Sequence, residues 1–415
     1  MSTIDPGQRL AQDLDNQIEA VSTALRSSVL PIVEDLVGHS HRPAVLARRL
    51  GIDKTLTGRI MRSVKAKDPF EIVHNAPAPY GLRIFLNAAA QAGVDEELRR
   101  RAEASITDFE SLIHTFPEGR AALDAAISDY LPEVRQRNER AARQAVYKSM
   151  SYLLGYQAEA SLQTSIYSPA SDDRLVDSTH IGGLIELRRL RGDAPLNLFG
   201  VRRYESQPGA QNWIETIGGE RQIEEAKRYL IEEFCDQPIP NLSVRDDARV
   251  LYSVLDAESL PINVPITLVN GWITRNTAQR YQSPDRSHEW HTALIRIPSR
   301  VRIQDYFIHQ DLWPGMPEMR SRMHSLAPDP VRIHKPGRQH DELDISTPIE
   351  ALGTGIELPE LRHSAMPRYR ELMRHVFETA GFDSKQFRAY RSLIVYPVPF
   401  VSLTAWFQLP QEPNS

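Results

Sequence analysis

Residues 43–62 read Pro43-Ala44-Val45-Leu46-Ala47-Arg48-Arg49-Leu50-Gly51-Ile52-Asp53-Lys54-Thr55-Leu56-Thr57-Gly58-Arg59-Ile60-Met61-Arg62. This stretch predicts two short helices, over 43–50 and 54–64, with Gly51 between them. Pro43 suits the first turn of a helix, where its missing N–H has no intrahelical partner to lose. Asp53 is a good N-cap for the second helix, because its carboxylate can accept from the first free backbone N–H groups. Gly51 falls where a tight turn needs a backbone conformation that other residues resist. Ala47 lies where the helices would cross, and a small side chain permits close approach. Leu46, Leu50, Ile52, Leu56 and Ile60 would form a small shared core.

Charge sharpens the picture. Residues 42–67 hold eight basic side chains (Arg42, Arg48, Arg49, Lys54, Arg59, Arg62, Lys65 and Lys67) and one acid, Asp53. That window carries +7, whereas the whole chain carries −5, so the remainder sums to −12. Such local polarity is the electrostatic footprint of a nucleic-acid-binding module on an acidic protein.

The segment resembles the helix-turn-helix of bacterial transcriptional regulators, over residues 43–62 only. Motifs of this kind place the N-terminal part of the second helix in the major groove of double-stranded DNA. The resemblance implies that Lys54, Thr55, Thr57, Gly58, Arg59 and Arg62 face the duplex. Arg59 would donate a bidentate pair to a guanine. Lys54, Arg62, Lys65 and Lys67 would mainly neutralise phosphates, which adds affinity without sequence information, and Arg42 is also expected to contact the DNA. Gly58 would keep the helix surface low. Thr57 departs from the pattern, standing where these motifs often carry Val or Ile.

Working outward, Leu10, Leu14, Ile18, Val21 and Leu25 recur at helical spacing and predict a helix over 8–37, with Pro31 inside it. A short helix and a linker are expected over 68–80. Helical patterns resume at 82–92, 95–116 and 118–130. Val146, Met150, Leu153 and Tyr156 then suggest one long helix over 131–165. Its Arg-rich start (Arg135, Arg137, Arg140, Arg143) reads as a solvated connector face or as a dimer helix near the DNA backbone.

The texture changes near Ser168-Pro169, and Pro is enriched beyond residue 195, with 29 in the 415-residue chain. A hairpin is expected from 182–190 with 196–204, a helix at 221–234, and strands at 250–255, 266–273, 292–297, 300–308, 392–398 and 401–409. A helix at 367–380 is stopped by Gly381. The fold class expected is α+β multidomain. It comprises an all-α N-terminal half with the helix-turn-helix, a long connecting helix, and a C-terminal mixed domain with a largely antiparallel sheet. The corresponding domains are 1–80, 81–168 and 169–415.

Catalytic signatures are sparse. The lone thiol, Cys235, excludes an internal disulfide and a cysteine zinc cluster, and reads as a partly buried small residue. His288 and His291 share a face on a helix but not on a strand, and their surroundings read as strand. His309 and Asp311 could share a strand face. His334, His340 and His363 sit in polar, turn-rich sequence. No nucleophile elbow, phosphate loop or dinucleotide fingerprint occurs, and Gly353-Thr354-Gly355 is too short to be one. Neither a cofactor nor a metal is expected. Trp272, Tyr281, Trp290, Tyr306, Phe307 and Trp313 cluster in sequence as core residues or as the lining of a pocket for an apolar or aromatic ligand.

The first thirty residues lack an unbroken apolar core, and no apolar run is long enough for a bilayer span, so a cytoplasmic chain without membrane partners is expected. The leading expectation is a sequence-specific, double-stranded-DNA-binding transcriptional regulator, acting as a homodimer, with a C-terminal domain that senses a small-molecule effector or contacts another protein. Two other readings are an enzyme with its site in 170–415, and a protein-interaction adaptor without chemistry.

Overall fold

A computed structural model of the chain describes residues 6–38, 42–128, 130–192, 196–202, 213–220, 229–246, 250–256, 259–284, 286–313, 319–325 and 341–412. The chain divides into two units, Met1–Asn138 and Glu139–Ser415. The architecture is α+β: helices dominate the N-terminal part, and largely antiparallel sheets form the C-terminal part.

The first unit contains α1 (Pro6–Val37), α2 (Pro43–Leu50), α3 (Lys54–Lys65), α4 (Pro69–Asn75), α5 (Pro79–Gln91), α6 (Glu96–His114) and α7 (Arg120–Ser128). The expected linker after residue 68 is short and buried: Ala76 and Pro77 lie inside, and Pro79 already opens α5. A boundary at 80 is therefore corrected. One core holds Ile18, Leu25 and Ile32 of α1 with Leu46, Ile60, Val73, Phe85, Phe109 and Ile127. Helices α5 to α7 belong to this core and are not a separate connector. Ser28 and Ser105 meet at 2.6 Å, small side chains that let α1 and α6 approach closely.

The division falls inside α8 (Pro132–Leu154). The long helix expected to reach residue 165 ends here, eleven residues early. Gly155 takes a left-handed conformation (φ 78°), and β1 (Tyr156–Pro169) comes next. In β1, Ala158, Ala160, Leu162, Thr164 and Ile166 point to one buried face, so a period of two displaces the helical reading. A domain boundary at 168 would cut β1 from its sheet and is also corrected.

The remaining strands are β2 (Leu175–Arg189), β3 (Leu196–Arg202), β4 (Trp213–Glu215), β5 (Leu242–Asp246), β6 (Val250–Leu255), β7 (Ile266–Gln279), β8 (His288–Ile295), β9 (Ser299–His309), β10 (Arg320–Ser325), β11 (Glu342–Leu343), β12 (Glu350–Thr354), β13 (Phe387–Val395) and β14 (Val401–Gln408). Among the described residues they form three sheets, ordered β12-β13-β9-β1-β2-β7-β4, β11-β10-β14-β8 and β3-β6-β5. Among the pairings of these described strands only β1–β9 is parallel. The expected hairpin of 182–190 with 196–204 is not formed, because β2 is flanked by β1 and β7 while β3 pairs with β6. Within the expected helix at 221–234, residues 221–228 lie outside the described residues, and Glu232–Phe234 is a 3-10 turn.

Helix α9 (Tyr369–Thr379) covers one face of the seven-stranded sheet. Its Tyr369, Leu372, Met373, Val376 and Phe377 pack in one core with Leu162, Ile303, Phe307, Phe387 and Ala389. The four-stranded sheet covers the other face through two apolar clusters. One joins Tyr306, Ile308 and Tyr390 to Ala405 and Phe407, and the other joins Ile394 to Ile295 and Leu403.

Candidate nucleic-acid interface

Helix α2 begins at Pro43, after an extended Arg42, and ends at Gly51, whose left-handed backbone (φ 65°) lets its N–H donate to the Ala47 carbonyl. An added Cβ on Gly51 would touch nothing within 4 Å, so the conformation, not crowding, calls for glycine here. Two residues on, the Asp53 carboxylate accepts from the N–H groups of Thr55 (2.7 Å) and Leu56 (3.1 Å) and starts α3. These bonds hold the Asp53 carboxyl below its ordinary range. Leu46 and Ile60 are fully buried, with Leu50, Ile52 and Leu56 packed beside them, as the spacing predicts.

Four further contacts pin α3 from behind. The Thr57 hydroxyl is fully buried and bonds to the carbonyls of Lys54 (3.0 Å) and Pro43 (3.1 Å). Ser63 donates to the Ile72 carbonyl at 2.9 Å. Arg26 of α1 donates to the Val64 carbonyl at 3.0 Å, a cation at the helix C-terminus, where the dipole favours it. Arg59 reaches the end of α4, donating to the carbonyls of Ala76 (2.8 Å), His74 and Asn75 (both 3.4 Å). Burial, and then the neighbouring charge of Arg120, lower the Arg59 pKa. Arg120 itself binds the Val73 and His74 carbonyls and the Asp124 carboxylate.

These contacts correct three of the expected DNA-facing residues. Thr57 fills the core of the helix pair, its hydroxyl satisfied internally where a Val or Ile would have none to satisfy. Arg59 is committed to the α4 carbonyls and is not free to pair with a guanine. Gly58 is shielded from solvent, although an added Cβ there would meet only Arg62 Nη1, at 3.7 Å. Gly58 therefore lies beneath a surface arginine and not in the groove-facing layer itself.

The others are exposed: Arg42, Lys54, Thr55, Arg62, Lys65 and Lys67. A 3.6-residue turn places Lys54, Gly58, Arg62 and Lys65 along one side of α3, with Thr55 at its edge. Arg48 and Arg49 are exposed on α2. Among the described residues Arg42, Arg49, Lys54, Arg62 and Lys67 enter no ion pair. The functions of Arg26, Ser63 and Arg120 were missed from sequence. Each lies far from the motif or reaches a backbone carbonyl, and neither relation leaves a local signature.

The other candidate chemistry resolves into structure. His291 contacts Ser165 Oγ (3.3 Å) and Gln163 Nε2 (3.5 Å), and His288 contacts Ser287 Oγ; among the described residues neither meets a carboxylate. His309 Nδ1 accepts from the Asp311 N–H (3.2 Å) and lies 3.6 Å from its carboxylate, while Nε2 meets Gln386. His363 Nδ1 accepts from the Ala365 N–H. His334 and His340 lie outside the described residues. Cys235 is buried beside Val269, and burial pushes its thiol up to about 11, which leaves little nucleophilic thiolate. The aromatic residues do not line one pocket. Phe307 joins the α9 core, Tyr306 and Trp313 the opposite cluster, and Trp272 a third with Tyr229. Among the described residues no group of three or more His, Cys, Asp or Glu is placed to hold a metal ion, and no helix is long and apolar enough to cross a membrane.

No protein-family model matches the chain, and neither does any curated protein.

Proposed function

We propose that the chain is a sequence-specific double-stranded-DNA-binding transcriptional regulator, with α2 and α3 acting as a helix-turn-helix and α3 entering the major groove. One observation carries this reading: the outer side of an N-capped, firmly anchored helix presents Lys54, Thr55, Arg62 and Lys65 to solvent in a chain whose net charge is −5. A rigid mount and an exposed cationic face are what groove reading requires. Arg62 and Thr55 are the base-edge readers in this reading. Lys54, Lys65, Lys67 and Arg42 neutralise phosphates. Two copies bind together, since one short helix supplies limited affinity. The exposed Tyr152 and Leu153 of α8 offer the apolar surface for pairing.

The test is selection of bound sequences from a randomised duplex pool, followed by titration of the winner at several salt concentrations. Log affinity should fall linearly with log salt, with a slope of about −0.9 per phosphate contact. Lys67→Ala should make that slope shallower by roughly one. A pool with no enrichment, or binding that ignores salt, rejects the reading.

A further inference from the structure

Helix α9 turns Leu372, Met373 and Val376 into the sheet core, which leaves Arg370 and Arg374, one helical turn apart, on its outer side. The chain reaches α9 through a 3-10 turn (Pro359–Leu361) and a tight loop closed by a backbone bridge between His363 and Met366. Leu361 and Met366 are buried in the same core and anchor this loop, and Arg362 stands exposed beside the first of them. An open cavity of about 560 Å³ is walled by Arg362, His363 and Ser364 from the loop and by Arg370 and Arg374 from the helix. That volume lies within the roughly 300–1,000 Å³ of small-molecule sites.

Three guanidinium groups share this wall with too few carboxylates. Glu357 serves two of them: one oxygen pairs with Arg370, and the other accepts from Arg374 Nη2 at 2.8 Å. Glu371 also lines the cavity but is paired with Arg368 (3.1 Å). Among the described residues Arg362 enters no ion pair. The charged groups of the cavity and their partners, Arg362, Arg368, Arg370 and Arg374 against Glu357 and Glu371, therefore leave +2. Other arginines of this unit are matched. Arg391 forms a two-pronged pair with Asp305 (2.8 and 2.6 Å), Arg275 holds both Asp177 and Glu215, and exposed Arg174 has Asp172. The shared Glu357 also keeps Arg370 and Arg374 together, so a ligand meets them already placed. His363 Nδ1 accepts from the Ala365 N–H (3.1 Å), and burial and then the charge of Arg391 lower its pKa. Its ring is thus neutral above pH 7, with the proton on Nε2 as a donor that adds no charge.

We propose that this cavity binds a dianionic phosphate group, free or carried by a small molecule, with Arg362 and Arg374 donating to its oxygens and Arg370 supplying charge from the helix. A phosphate monoester is close to −2 above its second pKa of about 6, which matches the uncompensated charge; a carboxylate would balance only half of it. Guanidinium forks fit phosphate oxygens in two-pronged pairs. The volume beyond the phosphate accommodates the organic part of an ester. The inference concerns the sheet-bearing unit alone and stands apart from the DNA-binding reading.

The experiment uses the full chain without DNA at about pH 8, where the phosphate is fully dianionic. The probes are inorganic phosphate and glucose 6-phosphate, with glucose, and sodium chloride at matched ionic strength, as controls. Thermal unfolding should show a saturable rise in Tm with inorganic phosphate that chloride and glucose do not reproduce. Tighter binding of glucose 6-phosphate than of inorganic phosphate supports the site as one for esters, and equal or weaker binding supports it as one for free phosphate. Arg362→Gln breaks no side-chain contact among the described residues, so the variant should fold. It should weaken apparent phosphate affinity roughly 10-fold, the loss expected for one hydrogen bond between charged groups. Arg174→Gln removes the same charge elsewhere on the unit and should leave the affinity unchanged. A phosphate response no larger than that to chloride overturns the proposal. So does an undiminished response in Arg362→Gln, or an equal loss in Arg362→Gln and Arg174→Gln.

Discussion

Arg59 and Arg120 donate to the same backbone atom, the carbonyl oxygen of His74, at 3.4 and 3.0 Å. Two guanidinium groups thus converge on the C-terminal end of α4, where unpaired carbonyls and the helix dipole both favour cations. Asp124, paired with Arg120 and near His74, balances part of their charge. Burial opposes ionisation of Asp124, yet those two partners hold its pKa below the ordinary value. Arg59→Ala should accordingly cost about 1–3 kcal/mol of unfolding free energy, the range for lost bonds from a charged donor to partly buried carbonyls. Arg62→Ala should change stability by less than about 0.5 kcal/mol, as exposed substitutions do, while weakening DNA binding. Urea unfolding and fluorescence anisotropy on both variants separate the roles. Unchanged stability in Arg59→Ala together with an altered base preference would return Arg59 to the groove.

Gly58 offers a substitution in which stability and binding should move in opposite directions. Its added methyl meets only the far end of the Arg62 side chain, so Gly58→Ala should stabilise α3 by up to about 1 kcal/mol through helix propensity. If α3 reads the groove, the same methyl and the displaced Arg62 should lower DNA affinity. A gain in both Tm and affinity would show that this face of α3 does not touch the duplex.

The Asp305–Arg391 pair is buried, with exposures of 0% and 6%. Removing one partner leaves an uncompensated charge, so Asp305→Asn should destabilise the sheet unit by about 3–5 kcal/mol. Chemical denaturation measures the loss. A loss below about 1 kcal/mol would mean that water or another side chain neutralises Arg391.

Acid should act on His180 and His291. Burial lowers His180 to about 4 and, with help from His180 and Arg302, His291 to about 3, against an ordinary 6.5. Between these values the unfolded chain binds protons that the folded chain refuses. Their contribution is therefore complete above about pH 6.5 and is lost as pH falls toward 4 and 3. His180→Gln and His291→Gln should each flatten the stability profile across that window in urea titrations run from pH 7 to 4. Parallel profiles for variants and parent would place charged imidazoles in the fold.

Legibility tracked the range of the interactions involved. The α2–α3 pair was readable because Pro43, Gly51 and Asp53 each act on backbone within four residues, and the apolar spacing is helical. Helix α9 was equally plain: it ends at Thr379, just before the left-handed Gly381 expected to stop it. The β1 strand was misread because the spacing of Val146, Met150, Leu153 and Tyr156 carries a helical stripe across Gly155, and only sheet pairing with β2 and β9 makes the fourteen residues from Tyr156 a strand. Of the residues expected to face DNA, Lys54, Thr55, Arg62, Lys65, Lys67 and Arg42 are exposed, which is all of that expectation the fold bears on. It failed for Arg59 because the α4 carbonyls it serves lie 15 to 17 residues away.

The amino-acid order by itself determined the elements whose signals are local: the N-terminal helices, the glycine turn at 51, the cationic window and the strand-rich texture beyond 168. Tertiary structure decided which charges remain free. A guanidinium looks the same in sequence whether it faces water, a carboxylate or a helix end, and only packing assigned Arg62 to solvent, Arg391 to Asp305, Arg59 to α4, and Arg362 to the wall of a cavity. The reason is physical: electrostatic partnership depends on distance through folded space, and chain separation carries almost no information about it.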